Sequence, residues 1–254
     1  MWAYSLDPVL LQLGFLQIRW YGVIYAFGFL LSLWFLLRYR GEIGLSKDEV
    51  YDFVFYLMLG VVIGARLFHV VFWEPSYYVR HPIEIFYGWQ GGLAFHGGLV
   101  GALLVAWLYC TKKKIPFLKL ADVLSIPAMI GLGLGRIGNF INKEIVGTVT
   151  NVSWCANFGD GLCRHPYVLY SAAKRFMIAG LLYWLRQSFV LTEGFLFWLM
   201  LFLLGVGRFF LDYVREDVRY YGLSVGQWMS LVMALIGGTV LLWKYRTDLR
   251  KILK

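Results

Sequence analysis

The chain has 254 residues, of which 60% are hydrophobic, 19% aromatic and only 15% charged, with a mean hydropathy of +0.65. Ordinary globular chains run about 45–50% apolar and about 25% charged, and disordered chains are poor in apolar and aromatic residues, so both classes are excluded. The net charge of +9 lies mostly in loops between oily runs, which points to membrane topology and away from nucleic acid, and three cysteines are too few for a disulfide scaffold.

In chain order, the N-terminus lacks the basic stretch, apolar run and small-residue site of a cleavable signal peptide. Residues 1–19 read as a short segment at the membrane interface, with Leu10, Leu11, Leu13, Phe15 and Leu16 supplying an apolar face. A spanning helix needs about 20 mostly apolar residues. Runs of that kind cover residues 20–37, 50–72, 93–110, 120–141, 194–213 and 223–243. A weaker run, 167–185, is interrupted by Lys174 and Arg175, and Pro166 before it suits a first helical turn. The expected fold is therefore all-α, a polytopic membrane protein with seven transmembrane helices in one domain over residues 1–254.

Seven spans put the termini on opposite sides. One set of loops carries thirteen Lys and Arg residues, with Lys112, Lys113 and Lys114 among them, and the other set carries six. The positive-inside rule then places the N-terminus outside and the C-terminus in the cytoplasm.

Charges inside spans are expensive and mark functional sites by default. Arg66, Arg136 and Arg208 fall at matching positions in their spans, roughly 21–24 Å from the cytoplasmic face of a core about 30 Å thick. His96 and Tyr21 stand at the outer starts of two further spans, so five polar groups from five helices share one depth. The plainer alternative is that the arginines snorkel to the headgroups without chemistry.

Around the histidine, Gly91, Gly92, Gly97, Gly98 and Gly101 allow close backbone packing and the approach of a bulky ligand to the imidazole, against a purely structural histidine. The stretch 131–147 packs Arg136, Asn139, Asn142 and Glu144 into a few turns or a broken helix end at the membrane surface. Its glycines alone would read as helix-packing residues. With the polar set they read as an anion site, Arg136 facing a phosphate and amides orienting it.

At these residues the chain resembles the bacterial prolipoprotein diacylglyceryl transferases, over nearly its whole length. The family pattern Gly-Arg-x-Gly-Asn-Phe-x-Asn-x-Glu-x-x-Gly is complete from Gly135 to Gly147, and Phe95-His96-Gly97-Gly98 is present. Arg164-His165-Pro166 with Leu169-Tyr170, and Gly205-x-x-Arg208 with Arg215, match two further motifs.

The resemblance implies transfer of the diacylglyceryl group of phosphatidylglycerol to the lipobox cysteine in the signal peptide of a preprolipoprotein, at the outer leaflet of the bacterial cytoplasmic (inner) membrane. It makes His96, Arg136 and Arg208 the candidate catalytic residues, His96 or a carboxylate acting through water being the base for the acceptor thiol. Tyr21, Asn139 and Glu144 are implied in orientation and substrate binding, Arg66 in assisting the headgroup, and Gly147, Tyr170 and Asp212 in shaping the same site.

The sequence departs from the family pattern in several places. Asp212 stands where the family usually has Glu, Ser171 replaces Glu and Arg175 replaces an acidic residue, and the segment 151–163 is short. These changes leave the phosphate-binding arginines untouched and bear on the acceptor. The alternatives are a divergent paralogue with another acceptor or no catalysis, and an anion transporter; the latter would need a polar path on the cytoplasmic side. Cys155 and Cys163 in the outer loop are a disulfide in an oxidising compartment or two free thiols. The four histidines are scattered without metal-ligand spacing, so neither metal nor cofactor is expected.

Overall fold

The computed structural model describes residues 2–3, 7–13, 16–88 and 91–253. Each of the seven apolar runs is helical. The helices are α1 (Trp20–Ile43), α2 (Lys47–Phe68), a short α3 (Pro75–Arg80), α4 (Phe95–Lys113), α5 (Phe117–Ile141), α6 (Tyr167–Ser188), α7 (Phe195–Leu211), α8 (Val225–Lys244) and a terminal α9 (Arg246–Ile252). Among the described residues α1, α5, α8 and the stretches Lys47–Trp73 and Phe195–Val214 are long and apolar enough to cross a membrane. The protein is thus a mostly helical, multi-pass membrane protein.

α1 and α2 run past their apolar runs where turn and capping chemistry sets their ends. α2 begins three residues before Val50: the Ser46 side chain accepts from Glu49 N at 3.2 Å while Glu49 Oε2 accepts from Ser46 N at 2.8 Å, a reciprocal capping box. α1 continues beyond Leu37 to Ile43 and is followed by Gly44 at φ 82°.

The chain separates into two compact units, Ser32–Leu120, and Met1–Leu31 with Ala121–Lys254. In the first, α2 and α4 pack glycine to glycine. A Cβ on Gly64 would come 3.1 Å from Gly101 Cα, and one on Gly60 would come 3.0 Å from Gly101 O. Removing side chains here lets the two backbones touch, the usual way apolar helices associate where no hydrophobic force separates helix from lipid. At the far end of the pair the Tyr109 hydroxyl donates to Glu49 O at 2.6 Å and Lys113 Nζ lies 2.7 Å from Glu49 Oε1.

In the second unit α7 and α8 approach in the same manner: a Cβ on Gly205 would come 2.8 Å from Ser230 O, and one on Gly237 would come 3.0 Å from Phe202 N. α7 is preceded by Gly194 at its N-cap, which has no capping side chain of its own. Asp122 of α5 serves instead, its carboxylate accepting from Gly194 N at 2.6 Å and from Phe197 N at 2.8 Å.

Short β pairs lie outside the helices. The segment expected at the interface is a hairpin of β2 (Val9–Leu13) and β3 (Leu16–Arg19). Leu10 and Leu11 are exposed on it, while Phe15 and the side chains of Leu13 and Leu16 lie outside the described residues. β1 (Trp2–Ala3) pairs in parallel with β4 (Ala156–Asn157). β5 (Arg219–Tyr220) and β6 (Leu223–Ser224) form a hairpin whose two turn residues, Tyr221 (φ 53°) and Gly222 (φ 83°), are both left-handed, as a tight primed turn requires.

Candidate active site

The polar stretch after Gly135 folds into a closed network. α5 stops at Ile141, and left-handed Lys143 and Ile145 (both φ 57°) turn the chain back so that Glu144 N donates to Asn139 O at 2.8 Å. Asn139 is buried and stands at the centre. Its Oδ1 accepts from Arg136 Nη1 at 3.1 Å, and its Nδ2 donates to the Tyr21 hydroxyl at 2.6 Å and to Glu144 Oε2 at 2.7 Å. Asn142 Nδ2 holds the other Glu144 oxygen at 3.0 Å. One amide thus fixes a guanidinium, a phenol and a carboxylate, and only Nη1 of the Arg136 fork is used in doing so.

Arg208 is held by a second network. Its Nε lies 3.3 Å from Asp212 Oδ2, and the other carboxylate oxygen accepts from the Tyr167 hydroxyl at 2.5 Å. Asp212 is 1% exposed, so its charge is compensated by this arginine and this hydroxyl rather than by water. The first turn of α8 contributes Gly226, where a Cβ would stand 2.7 Å from Arg208 Nη2 and 2.8 Å from Asp212 Oδ2. Arg136 has Arg208, Arg215, Tyr167 and Tyr21 as electrostatic neighbours, so the two networks belong to one cationic site within this unit.

The loop after Glu144 packs against Val214 and Arg215. Gly147 bridges to Arg215, Thr148 N donates to Val214 O at 2.9 Å and His165 N to Thr148 O at 3.0 Å. A Cβ on Gly147 would come 2.8 Å from His165 Cβ and 2.9 Å from Val214 O, so only glycine fits there. Cys155 and Cys163 are disulfide-bonded, with their Cα atoms 5.4 Å apart. Arg164 pins the loop through Asp160 (2.5 Å), Gly147 O (3.2 Å) and Glu216. The same guanidinium holds the exposed Asp160 carboxyl below its ordinary range, first by the hydrogen bond and then by its charge. Tyr170 accepts from Trp154 Nε1 at 2.6 Å and stands 3.4 Å from His165 Nδ1, beside an apolar cavity of about 180 Å³ that Phe140, Pro166 and Leu169 also line.

Of the residues singled out in the sequence, Tyr21, Arg136, Asn139, Glu144, Gly147, Tyr170, Arg208 and Asp212 therefore all lie in this one unit. Arg66 and His96 belong to the other. The Arg66 guanidinium is buried and donates to four backbone carbonyls: Ile85 (2.9 Å), Gly91 (2.7 Å), Gly92 (3.2 Å) and Glu84 (2.5 Å). It also lies 5.0 Å from the Tyr78 ring centroid. His96 opens α4 with an exposed imidazole flanked by Phe68 and Phe95.

Several further side chains join these networks. Tyr167 was only the start of a span, yet its hydroxyl holds Asp212. His165 stands in the Arg164-His165-Pro166 motif without a role of its own, and it touches Tyr170. Lys174 and Arg175 interrupt a weak span, and Arg175 also replaces an acidic residue of the family pattern, yet neither was placed in the site; both have Arg136 and Arg208 as electrostatic neighbours. Adjacent cations in an apolar run were the available signal. Among the described residues no group of His, Cys, Asp and Glu is placed to hold a metal ion.

Comparison with known proteins gives one answer. The family model described as prolipoprotein diacylglyceryl transferase matches residues 8–243. The chain is 39% identical to the phosphatidylglycerol–prolipoprotein diacylglyceryl transferase of Cupriavidus metallidurans, covering 94% of both chains. It is 40% identical to the protein of the same name from Geobacter sulfurreducens, over 92% of this chain and 94% of that one. It is likewise 40% identical to the one from Tolumonas auensis, over 95% and 97%. With its glycine-, arginine- and asparagine-built site on a membrane-helical scaffold, the chain belongs to the prolipoprotein diacylglyceryl transferase family.

Proposed function

We infer that the protein transfers the diacylglyceryl group of phosphatidylglycerol to the lipobox cysteine thiol of preprolipoproteins, forming a thioether and releasing glycerol phosphate. The observation that carries the reading is the pairing of Arg136 and Arg208, each oriented by its own hydrogen-bonded network, in one site of a family member.

Guanidinium forks grip phosphate oxygens with parallel charge-assisted bonds. Arg136 and Arg208 hold the phosphodiester and stabilise the charge that grows on it as the ester C–O bond breaks. The acceptor thiol, with a free pKa near 8.5, must first lose its proton. His96 takes that proton, and the thiolate sulfur then attacks the glyceryl carbon while the C–O electron pair leaves with the phosphate. Asn139 keeps Tyr21, Glu144 and Arg136 in register for the donor. Asp212 fixes Arg208, Gly147 lets the loop close, and Tyr170 lines the approach of the acceptor. Arg66 assists by anchoring the segment after α3 through its carbonyl bonds.

All seven helices, α4 and α6 included, cross the bilayer as parts of one transferase domain over residues 1–254. The N-terminus faces outside and the C-terminus the cytoplasm, in the bacterial inner membrane, with the site toward the outer leaflet. The excess of Lys and Arg in one set of loops supports this orientation, and a disulfide in the α5–α6 loop suits an oxidising outer face.

The test uses purified protein in detergent with phosphatidylglycerol and a synthetic lipobox peptide. Mass spectrometry should find a diacylglyceryl adduct on the cysteine that disappears in His96→Gln and Arg136→Ala. Folded protein that binds phosphatidylglycerol yet forms no adduct would overturn the reading.

A further inference from the structure

Two cations of α6, Lys174 and Arg175, have no part in the transfer described above. The Lys174 stem crosses onto α7 one residue before Arg208, since a Cβ on Gly207 would stand 3.3 Å from Lys174 Cγ. Its electrostatic neighbours are Arg175, Asp212, Arg208 and Arg136, and those of Arg175 include Arg136, Tyr167, Arg208 and Asp212.

Arg175 is 5% exposed. Its Nη1 donates to Ser171 O at 2.8 Å and to Ser171 Oγ, while its Nε, though buried, has no hydrogen-bond partner among the described residues. The same is true of Lys174 Nζ. Asp212 is the one carboxylate among these neighbours, and it is already held by Arg208 and Tyr167. Buried cations without a counter-charge are costly. A site that stacks two more of them behind a phosphate clamp suits a ligand with more than one negative charge.

The transfer reaction makes such a ligand. The phosphodiester of the donor carries one negative charge. When the thiolate displaces it, the C–O electron pair stays on the phosphate oxygen, the S–C bond forms, and the departing phosphomonoester carries two. We propose that Lys174 and Arg175 form a second anion subsite that binds this additional charge as it develops on the leaving glycerol phosphate. The proposal rests on the transferase reading. It makes the pair ligands of the transition state and the phosphomonoester product, and not of the phosphodiester donor.

The experiment is a kinetic and binding comparison of the full-length protein with Lys174→Met, Arg175→Met and Arg175→Lys. If the pair acts only as charge develops, kcat falls roughly 10²-fold in each Met variant while KM for phosphatidylglycerol stays within about twofold. Arg175→Lys recovers part of the loss. Glycerol 1-phosphate, titrated by calorimetry into detergent-solubilised protein, binds about tenfold more weakly to each Met variant. Deleting an unpaired buried charge should leave the melting temperature at or above that of the parent, which separates this effect from misfolding. Unchanged glycerol 1-phosphate affinity, or a rise in KM with kcat intact, would overturn the subsite. If the parent forms no lipobox adduct yet loses glycerol 1-phosphate binding in both Met variants, the transferase reading fails and the anion subsite stands.

Discussion

Arg136 and Arg208 reach the same site by different means, and the difference predicts how each fails. Arg136 is steered by the neutral Asn139 amide, so its charge is available to a ligand, whereas Arg208 shares its charge with Asp212. Arg136→Lys keeps the charge but loses the planar fork, and turnover should drop about 10²-fold or more. Near-normal turnover in that variant would remove the clamp assignment. Both arginines were recognisable as charges inside apolar runs. The partners that orient them were less so, because Tyr21 lies 118 residues from Asn139 and Tyr167 lies 45 from Asp212. Arg66 looked the same as these two in the sequence. Its four carbonyl partners come from 18 to 26 residues away, and no pattern of residue types encodes a carbonyl that points inward.

Between elements, glycine contacts and one borrowed cap are the interactions most exposed to single substitutions. Gly64→Val would drive a branched side chain into the α4 backbone, and overpacking of this kind costs about 1–3 kcal/mol. A melting temperature in detergent equal to that of the parent would show that the α2–α4 seam is looser than its geometry implies. Asp122→Ala removes the carboxylate from the N-terminus of α7 and should cost about 1–2 kcal/mol, with Asp122→Asn retaining part of it. Both are read by thermal unfolding. The apolar runs marked every long helix, since burial in lipid requires them whatever the packing. They could not mark the starts, where Ser46 and Glu49 decide for α2 and a residue from another helix decides for α7.

For the molecule as a whole, the loop between α5 and α6 is the part whose order depends on conditions. Cys155–Cys163 closes a short loop, and Cys155→Ser should cost about 2–3 kcal/mol in oxidising buffer with little further change on adding reductant. Equal melting temperatures for parent and variant, with two free thiols titrated in the parent, would contradict the bond. Asp160 adds a pH dependence. Its carboxyl is held below the ordinary value by Arg164, so the stabilisation is fully present above the unfolded pKa near 3.9 and is lost as pH falls through the folded value. Fluorescence of Trp154, which reports on the same loop, should therefore stay constant from neutral pH to about pH 5 and change below it. In Asp160→Asn it should already differ at neutral pH, and an identical acid transition in that variant would assign the change to another group.

The sequence by itself determined the membrane class and the place of every long helix, and it marked the arginines within apolar runs as candidates for the site. Those features follow from composition, from the length of apolar runs and from the cost of placing charge in lipid, all of which are local. Only the tertiary structure decided that Asn139 joins Tyr21, Arg136 and Glu144, that Tyr167 and Arg208 share Asp212, and that Arg66 is spent on backbone carbonyls. It also turned Lys174 and Arg175 from flaws in a weak span into members of the cationic site. Hydrogen-bond partners far apart in the chain are chosen by how helices pack, and packing depends on glycine contacts and caps that no single run of residues contains.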